Sequence, residues 1–239
     1  MDLISVIFNC LKPEKLIGNR NPSSALVDDD LISVDVNFIN EKLNEEQRNC
    51  VRNALGCKNL AIIHGPPGTG KTSTLTEIIL QFLEQNKKIL VVSPSNIAVD
   101  TIAERLLEFI DETSEFVCRI GHPTRMLEQV TNIAVDSIIE RKTNIMEKIN
   151  SIMNSLKKNK EDVLAKKEKI EELRKIRMAE VQALFERVKI IMATTIGCGS
   201  KDLQTYLSNN DTYFDVVIID ESSQAKECEC FVPILLGKK

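Results

Sequence analysis

Residues 64–74 read HGPPGTGKTST, a run of turn formers and small side chains with too little bulk to fill a core. Gly65, Pro66, Pro67, Gly68, Thr69, Gly70, Lys71 and Thr72 fit the spacing G-x-x-x-x-G-K-[ST], and Ser73 follows them. The residue types suit a phosphate chain. Glycines let backbone N–H groups close around an anion, and a helix starting at Lys71 would add the positive end of its dipole. Lys71 would reach the β and γ phosphates as a point charge, and the Thr72 hydroxyl would ligate Mg2+. The implied ligand is a nucleoside triphosphate. A second constellation lies far along the chain, where four apolar residues, Val216 to Ile219, lead into Asp220 and Glu221. Asp220 is suited to hold a hydrated magnesium ion and Glu221 to accept a proton from an attacking water, so triphosphate hydrolysis is the expected chemistry.

These groups need a scaffold that brings residue 71 to residue 220. Five short apolar, β-branched runs occur at Asn59 to His64, Lys88 to Ser93, Phe116 to Ile120, Val188 to Thr194 and Phe214 to Asp220. Each ends in a polar turn and leads towards a helical pattern, which predicts a parallel sheet with helices on both faces. Leu75, Ile78, Ile79, Phe82 and Leu83 recur at helical spacing, so Lys71 to about Gln85 is expected to be an amphipathic helix. The phosphate loop then sits between a strand and a helix, the context its spacing requires. In an open α/β sheet the strand ends converge on one edge, where loops reach ligands.

The 239 residues are 43% hydrophobic, enough for a packed core, and the formal charge of −4 gives no global attraction to nucleic acid. Any such binding has to come from a local patch. No apolar run approaches a membrane span and no export signal is visible, so a cytoplasmic or nuclear location is expected. Seven cysteines without metal-type pairing fit a reducing compartment, and Cys228 and Cys230 lack the second cluster that a metal site needs.

Further segments stand in a fixed order: Leu43 to Val51 upstream of the loop, then SPSNIAVD (93–100), RIGHP (119–123), ATTIGCGS (193–200) and DESSQA (220–225). Together with the phosphate loop, over roughly residues 36 to 239, they resemble superfamily 1 helicases of the Upf-like branch, and within it the immunoglobulin-mu-binding (SMUBP) type. The resemblance implies a RecA-like fold and an ATP-driven motor moving five-prime to three-prime on single-stranded DNA or RNA. It implies that Gln47 meets the adenine edge, that Gly65 to Ser73 hold phosphate and magnesium, and that Asp220 and Glu221 serve metal and water with Gln224 near the γ phosphate. Ser95, Asn96, Thr194 and Thr195 would meet the nucleic-acid backbone; hydroxyls and amides position phosphates without reading sequence. With no tryptophan and two tyrosines, backbone tracking is favoured over base stacking.

Between Arg125 and Arg187 the βα rhythm gives way to apolar residues at steps of three, four and seven: Ile145, Ile149, Ile152, Leu156, Val163, Ile170 and Leu173. This predicts a helical hairpin insertion turning near Asn154 to Lys160, with a mildly cationic arm from Lys157 to Lys175 whose default role is a solvated face. The expected organisation is an N-terminal segment and linker (1–40), a first part of the RecA-like domain (41–124), the hairpin (125–187) and a second part (188–239).

Members of the resembled family continue into another strand and a second RecA-like domain, which supplies arginines and an aromatic clamp. On that resemblance the chain reads as an incomplete helicase half, with slow or no ATP turnover alone. The strand not present would lie between the phosphate-loop strand and the Asp-Glu strand, leaving these two roughly 10 Å apart. Two other readings use the same residues: a generic phosphate-loop NTPase, and a catalytically silent fragment that binds nucleic acid or protein.

Overall fold

The computed structural model describes residues 34–57, 59–111, 116–143 and 163–238. Four strands, β1 (Ile89–Ser93), β2 (Val117–Arg119), β3 (Ile190–Thr194) and β4 (Val216–Ile219), form one parallel sheet in the order β2-β3-β1-β4. Ile89 is in register with Ile190 on one side and with Val216 on the other, so Ser93, Thr194 and the residue after Ile219 arrive together at one edge. The strands are apolar on both faces because both are covered. Leu90, Val92, Ile191 and Ala193 pack with α4 (Val135–Thr143), α5 (Val163–Arg187) and α6 (Lys201–Asn210). Ile89, Val91, Ile190 and Met192 pack with α2 (Lys71–Glu84) and α3 (Asn96–Leu107).

Local chemistry sets the helix starts. Asn44 caps α1 (Glu45–Gly56) in a reciprocal capping box, and Ser95 caps α3 by accepting the Ala98 N–H at 3.1 Å. The helix α2 has no side-chain cap: it begins at Gly70, whose φ of 78° lies in the left-handed region. A short helix, α7 (Glu227–Ile234), follows β4.

Four of the five expected strands form, with bounds within two residues at most ends. The fifth, Asn59 to His64, does not: among its residues only Ile62 takes part in an isolated bridge. Among the described residues this segment has no ladder partner. A strand is stable when its N–H and C=O groups pair with a neighbour, and among the described residues β4 pairs only with β1. Just before β4, Phe214 makes an isolated parallel bridge with Gly237, with Phe214 N–H donating to Leu236 O at 2.9 Å and Lys238 N–H to Phe214 O at 2.8 Å. The 59–64 segment is left with Leu60 58% and Ile62 40% exposed.

Of the expected hairpin, the arm in α5 is a helix of 25 residues, and the turn and the other arm lie outside the described residues. The expected division at 125 and 187 falls inside the packed core. Val130, Ile133 and Ile138 on one side, and Val181, Leu184 and Phe185 on the other, are buried with the sheet residues. Arg177 pins α5 to its neighbours, donating to Asp136 of α4 at 2.8 Å and to Asp202 of α6 at 3.0 Å. No helix among the described residues is long and apolar enough to cross a membrane.

At the opposite end of β1 from the phosphate loop, the Lys88 ammonium donates to the Phe185 carbonyl and to the Tyr206 hydroxyl at 2.9 Å, over whose ring it also sits. Burial pushes this lysine down to about 8. A base whose folded-state value lies below its unfolded value is neutralised first in the folded chain. Between about pH 8 and 10.5 the unfolded state therefore holds more protons, and this group's contribution to stability rises with pH. Urea unfolding of wild type and Lys88→Met at pH 7.5 and pH 10 should show the wild type gaining on the variant at high pH, by on the order of 1 kcal/mol after solvent screening. An identical difference at the two values would contradict this assignment.

Candidate nucleotide and nucleic-acid site

The loop from Gly65 to Gly70 turns tightly. Thr69 accounts for part of the turn, its hydroxyl donating to Pro66 O at 2.8 Å. Gly68 and Gly70 take φ of 80° and 78°, where L side chains are strained, and a Cβ on Gly70 would lie 2.5 Å from the Gln47 amide nitrogen. The glycine at 70 thus satisfies a backbone requirement and a close approach at once. Beyond it the first turn of α2 presents the N–H groups of Lys71, Thr72 and Ser73 without a side-chain cap, an anion-binding geometry. The Lys71 ammonium rests on the loop's own carbonyls, at 3.0 Å from Gly65 O and 3.3 Å from Pro66 O.

Gln47 comes to this loop from α1. Its Oε1 accepts the Asn44 N–H at 2.9 Å within the capping box, and its Nε2 donates to Thr69 O at 3.0 Å. One amide proton and one oxygen lone pair remain for another ligand, the pair an adenine edge would use.

Asp220 and Glu221 stand at the end of β4. Asp220 is tied to β1 by its N–H, which donates to Val92 O at 2.8 Å. Burial holds its carboxyl above the ordinary carboxylate value and the neighbouring Glu221 charge adds to this, while the Glu221 N–H and the Lys71 ammonium oppose it. The segment before the loop shares no ladder with β4. Glu221 adopts φ 51°, an uncommon left-handed conformation for a glutamate, at the head of a 3-10 turn over Ser222–Gln224. Its Oε2 accepts from Gln224 Nε2 at 2.8 Å, so the acid and the amide form one unit.

The loops after β1 and β3 carry the expected nucleic-acid residues, which occupy unlike environments. Ser95 is exposed and its hydroxyl oxygen is engaged in capping α3, leaving its proton for an outside acceptor. Asn96 Oδ1 accepts from Arg119 Nη2 at 2.9 Å, which fixes the amide so that its NH2 faces other acceptors. Thr194 is half-buried and accepts the Gly197 N–H at 3.0 Å. Thr195 is 1% exposed, and its hydroxyl and that of buried Ser93 have no hydrogen-bond partner among the described residues. The Thr195 side chain lies beneath the surface, so of that pair only Thr194 is open to a ligand. Ile97 and Ile196, 71% and 67% exposed, stand on the same two loops.

Three buried charged residues went unassigned in the sequence. Arg119 donates to Asp100 Oδ1 at 3.0 Å and to the Ile120 carbonyl, and Asp100 Oδ2 accepts the Leu127 N–H at 3.0 Å. Glu77 lies on the buried side of α2. The signal for Arg119 and Asp100 was their place inside the quoted segments RIGHP and SPSNIAVD. For Glu77 it was an acid on a helix stripe shared with Thr74 and Gln81, all three buried.

A family model described as an AAA domain matches residues 42–175 and 164–239. The DNA-binding protein SMUBP-2 of Mus musculus is 37% identical over 94% of this chain and 23% of its own length. The DNA polymerase alpha-associated DNA helicase A of Schizosaccharomyces pombe is 37% identical over 92% of the chain and 33% of its own length. The ATP-dependent helicase NAM7 of Saccharomyces cerevisiae is 32% identical over 83% and 19%. The chain thus spans between a fifth and a third of the length of these relatives. With the phosphate loop, the parallel sheet and the acidic pair in place, the chain belongs to the AAA-domain family of phosphate-loop proteins, in the Upf-like branch of superfamily 1 helicases.

Proposed function

We propose that this chain is the ATP-binding RecA-like part of an ATP-dependent five-prime to three-prime helicase, holding Mg-ATP at residues 65–73 and single-stranded DNA or RNA on the loops after β1 and β3. The observation that carries the reading is the geometry of the loop: Gly68 and Gly70 turn it through left-handed conformations into the uncapped start of α2, with the Lys71 ammonium folded back onto the loop carbonyls. Asp220, 149 positions along the chain from Lys71, stands at the end of β4 with a half-buried carboxylate suited to a cation. The names of the relatives, which include a DNA-binding protein and ATP-dependent helicases, support the nucleic-acid part.

The residues divide the work. The N–H groups at the start of α2 and the Lys71 ammonium hold the phosphate chain, for which Lys71 exchanges the Gly65 and Pro66 carbonyls for phosphate oxygens. Thr72 and Asp220 fit Mg2+, a hard cation served by one hydroxyl, one carboxylate and phosphate oxygens. A cation also relieves the cost of an ionised carboxylate that burial disfavours at Asp220. When bound, the ion neutralises charge on the phosphates. Glu221 accepts the proton of an attacking water, and Gln224 holds one of its oxygens so that the other faces the water. At the strand-end edge Ser95, Asn96 and Thr194 offer O–H and N–H donors to phosphate oxygens, and Ile97 and Ile196 offer apolar surface to sugars and bases.

Turnover by the chain alone is slow in this reading. Among the described residues the segment leading into the loop has no ladder to hold it, which would place the loop less rigidly against Glu221 than a fast hydrolase requires. The test is equilibrium binding of fluorescent ATP with and without Mg2+, followed by ATPase assays with and without single-stranded DNA and RNA. Magnesium-dependent ATP binding and an oligonucleotide-stimulated rate are expected. Equal affinity for all nucleotides with no response to either oligonucleotide would leave a generic phosphate-loop protein, and oligonucleotide binding without ATP binding would leave a silent fragment.

A further inference from the structure

Glu77 lies six residues after Lys71 on α2, fully buried beside Ile78 and Ile79. An acid on that face is costly unless it is fully partnered. Its partners come from outside the helix. Oε1 accepts the Ile39 N–H at 3.0 Å and Gln81 Nε2 at 2.9 Å, and Oε2 accepts the Asn40 N–H at 2.9 Å. Gln81 Nε2 also donates to Asn37 O at 2.7 Å. Two side chains of α2 therefore stitch down the backbone of residues 37–40, a strap that crosses the helix before α1 begins. Phe38 on the strap lies under the guanidinium groups of Arg48 and Arg52, at 5.1 and 5.2 Å, so the strap also grips α1. Leu43, Val51 and Ile78 close a small apolar cluster between strap, α1 and α2.

The position of Gln47 follows from these contacts. From Asn40, where the Glu77 bonds end, the chain makes one turn, with Leu43 N–H on Asn40 O at 3.3 Å, and reaches the Asn44 cap and then Gln47. Gln47 itself touches the phosphate loop through one hydrogen bond at the surface. Such a bond is too weak to fix the angle of a whole helix. Outer partners that hold a ligating side chain commonly control its effectiveness. We propose that Glu77 is a positioning residue for base recognition: its carboxylate fixes strap 37–40 on α2 and so holds Gln47 over the phosphate loop, and nucleotide selectivity depends on a side chain that never touches the nucleotide. This rests on the reading of Gln47 as the contact to the base edge.

The experiment compares the affinities of ATP, GTP and inorganic tripolyphosphate for the wild-type chain, Gln47→Ala, Glu77→Gln and Gln81→Met. Tripolyphosphate reads the loop and Lys71 alone, and the ATP to GTP ratio reads the base. In Glu77→Gln the new NH2 faces N–H donors, so the strap loosens while the helix keeps its volume. The ratio should fall about tenfold, as in Gln47→Ala, with tripolyphosphate affinity changed less than about twofold. Gln81→Met removes the Asn37 stitch and should lower the ratio in the same direction by a smaller factor. If Gln47→Ala leaves the ratio intact, the base-edge reading fails and the proposal falls with it. If Gln47→Ala lowers the ratio and Glu77→Gln does not, the positioning role alone is overturned. Equal loss of tripolyphosphate and ATP affinity in Glu77→Gln means a purely structural carboxylate and also overturns it. Should Glu77→Gln fail to fold, Gln81→Met decides, and an unchanged ratio there counts against the proposal.

Discussion

Replacing Arg119 with alanine should lower folding stability by about 3–5 kcal/mol, because it leaves an unpaired carboxylate in the core. Arg119 and Asp100 are both fully buried, and their ion pair at 3.0 Å joins the end of β2 to α3. Burial lowers the guanidinium's affinity for its proton, and the Asp100 hydrogen bond and charge offset part of that loss. Asp100 keeps only the Leu127 N–H after the substitution, and the Asn96 oxygen and the Ile120 carbonyl lose their donor. The double variant Arg119→Met, Asp100→Leu should recover much of the loss, since an apolar pair of similar volume replaces a buried ion pair at little cost. It should not recover oligonucleotide affinity, because Asn96 is no longer held. Urea unfolding reads the first effect and oligonucleotide titration the second. A loss below about 1 kcal/mol in Arg119→Ala, the scale of an exposed pair, would contradict the buried-pair account.

Lys71→Ala should weaken Mg-ATP binding by about 100-fold, roughly 2.7 kcal/mol, the scale of hydrogen bonds from a charged donor. The effect falls short of the full strength of such contacts because Lys71 gives up its bonds to Gly65 and Pro66 when it turns to phosphate. Folding stability should barely change, since those carbonyls belong to a largely exposed loop. Tripolyphosphate affinity should fall with that of ATP, which separates this variant from Glu77→Gln. Titration with a fluorescent ATP analogue measures the change. A weakening of less than about threefold would remove Lys71 from the phosphate site and with it the central contact of the proposed function.

Ser95 and Asn96 illustrate how a residue can be singled out by its segment while its surroundings stay hidden. Both lie at the strand-end edge where the βα rhythm puts them, yet Asn96 is already bonded to an arginine 23 positions away. Thr195 follows Thr194 by one position and is buried where its neighbour is half-open, a difference set by how the turn after β3 packs.

What the sequence determined by itself is local. Glycine at 68 and 70 dictates the left-handed turns of the loop, the spacing of Leu75, Ile78, Ile79 and Phe82 dictates α2, and apolar runs ending in polar turns dictate β1, β3 and β4. These follow from sterics and from periods of 3.6 and 2, which need no distant partner. Tertiary structure decided the rest. Asn59 to His64 has the composition of a strand and fails to become one, because strand formation depends on a neighbouring backbone that no local pattern encodes. The burial of Glu77 and Arg119 becomes visible only when donors from residues 39 and 40 and an acceptor at residue 100 enclose them. A buried charge is tolerated only where distant groups complete its coordination, so its role becomes visible only when the chain has folded around it.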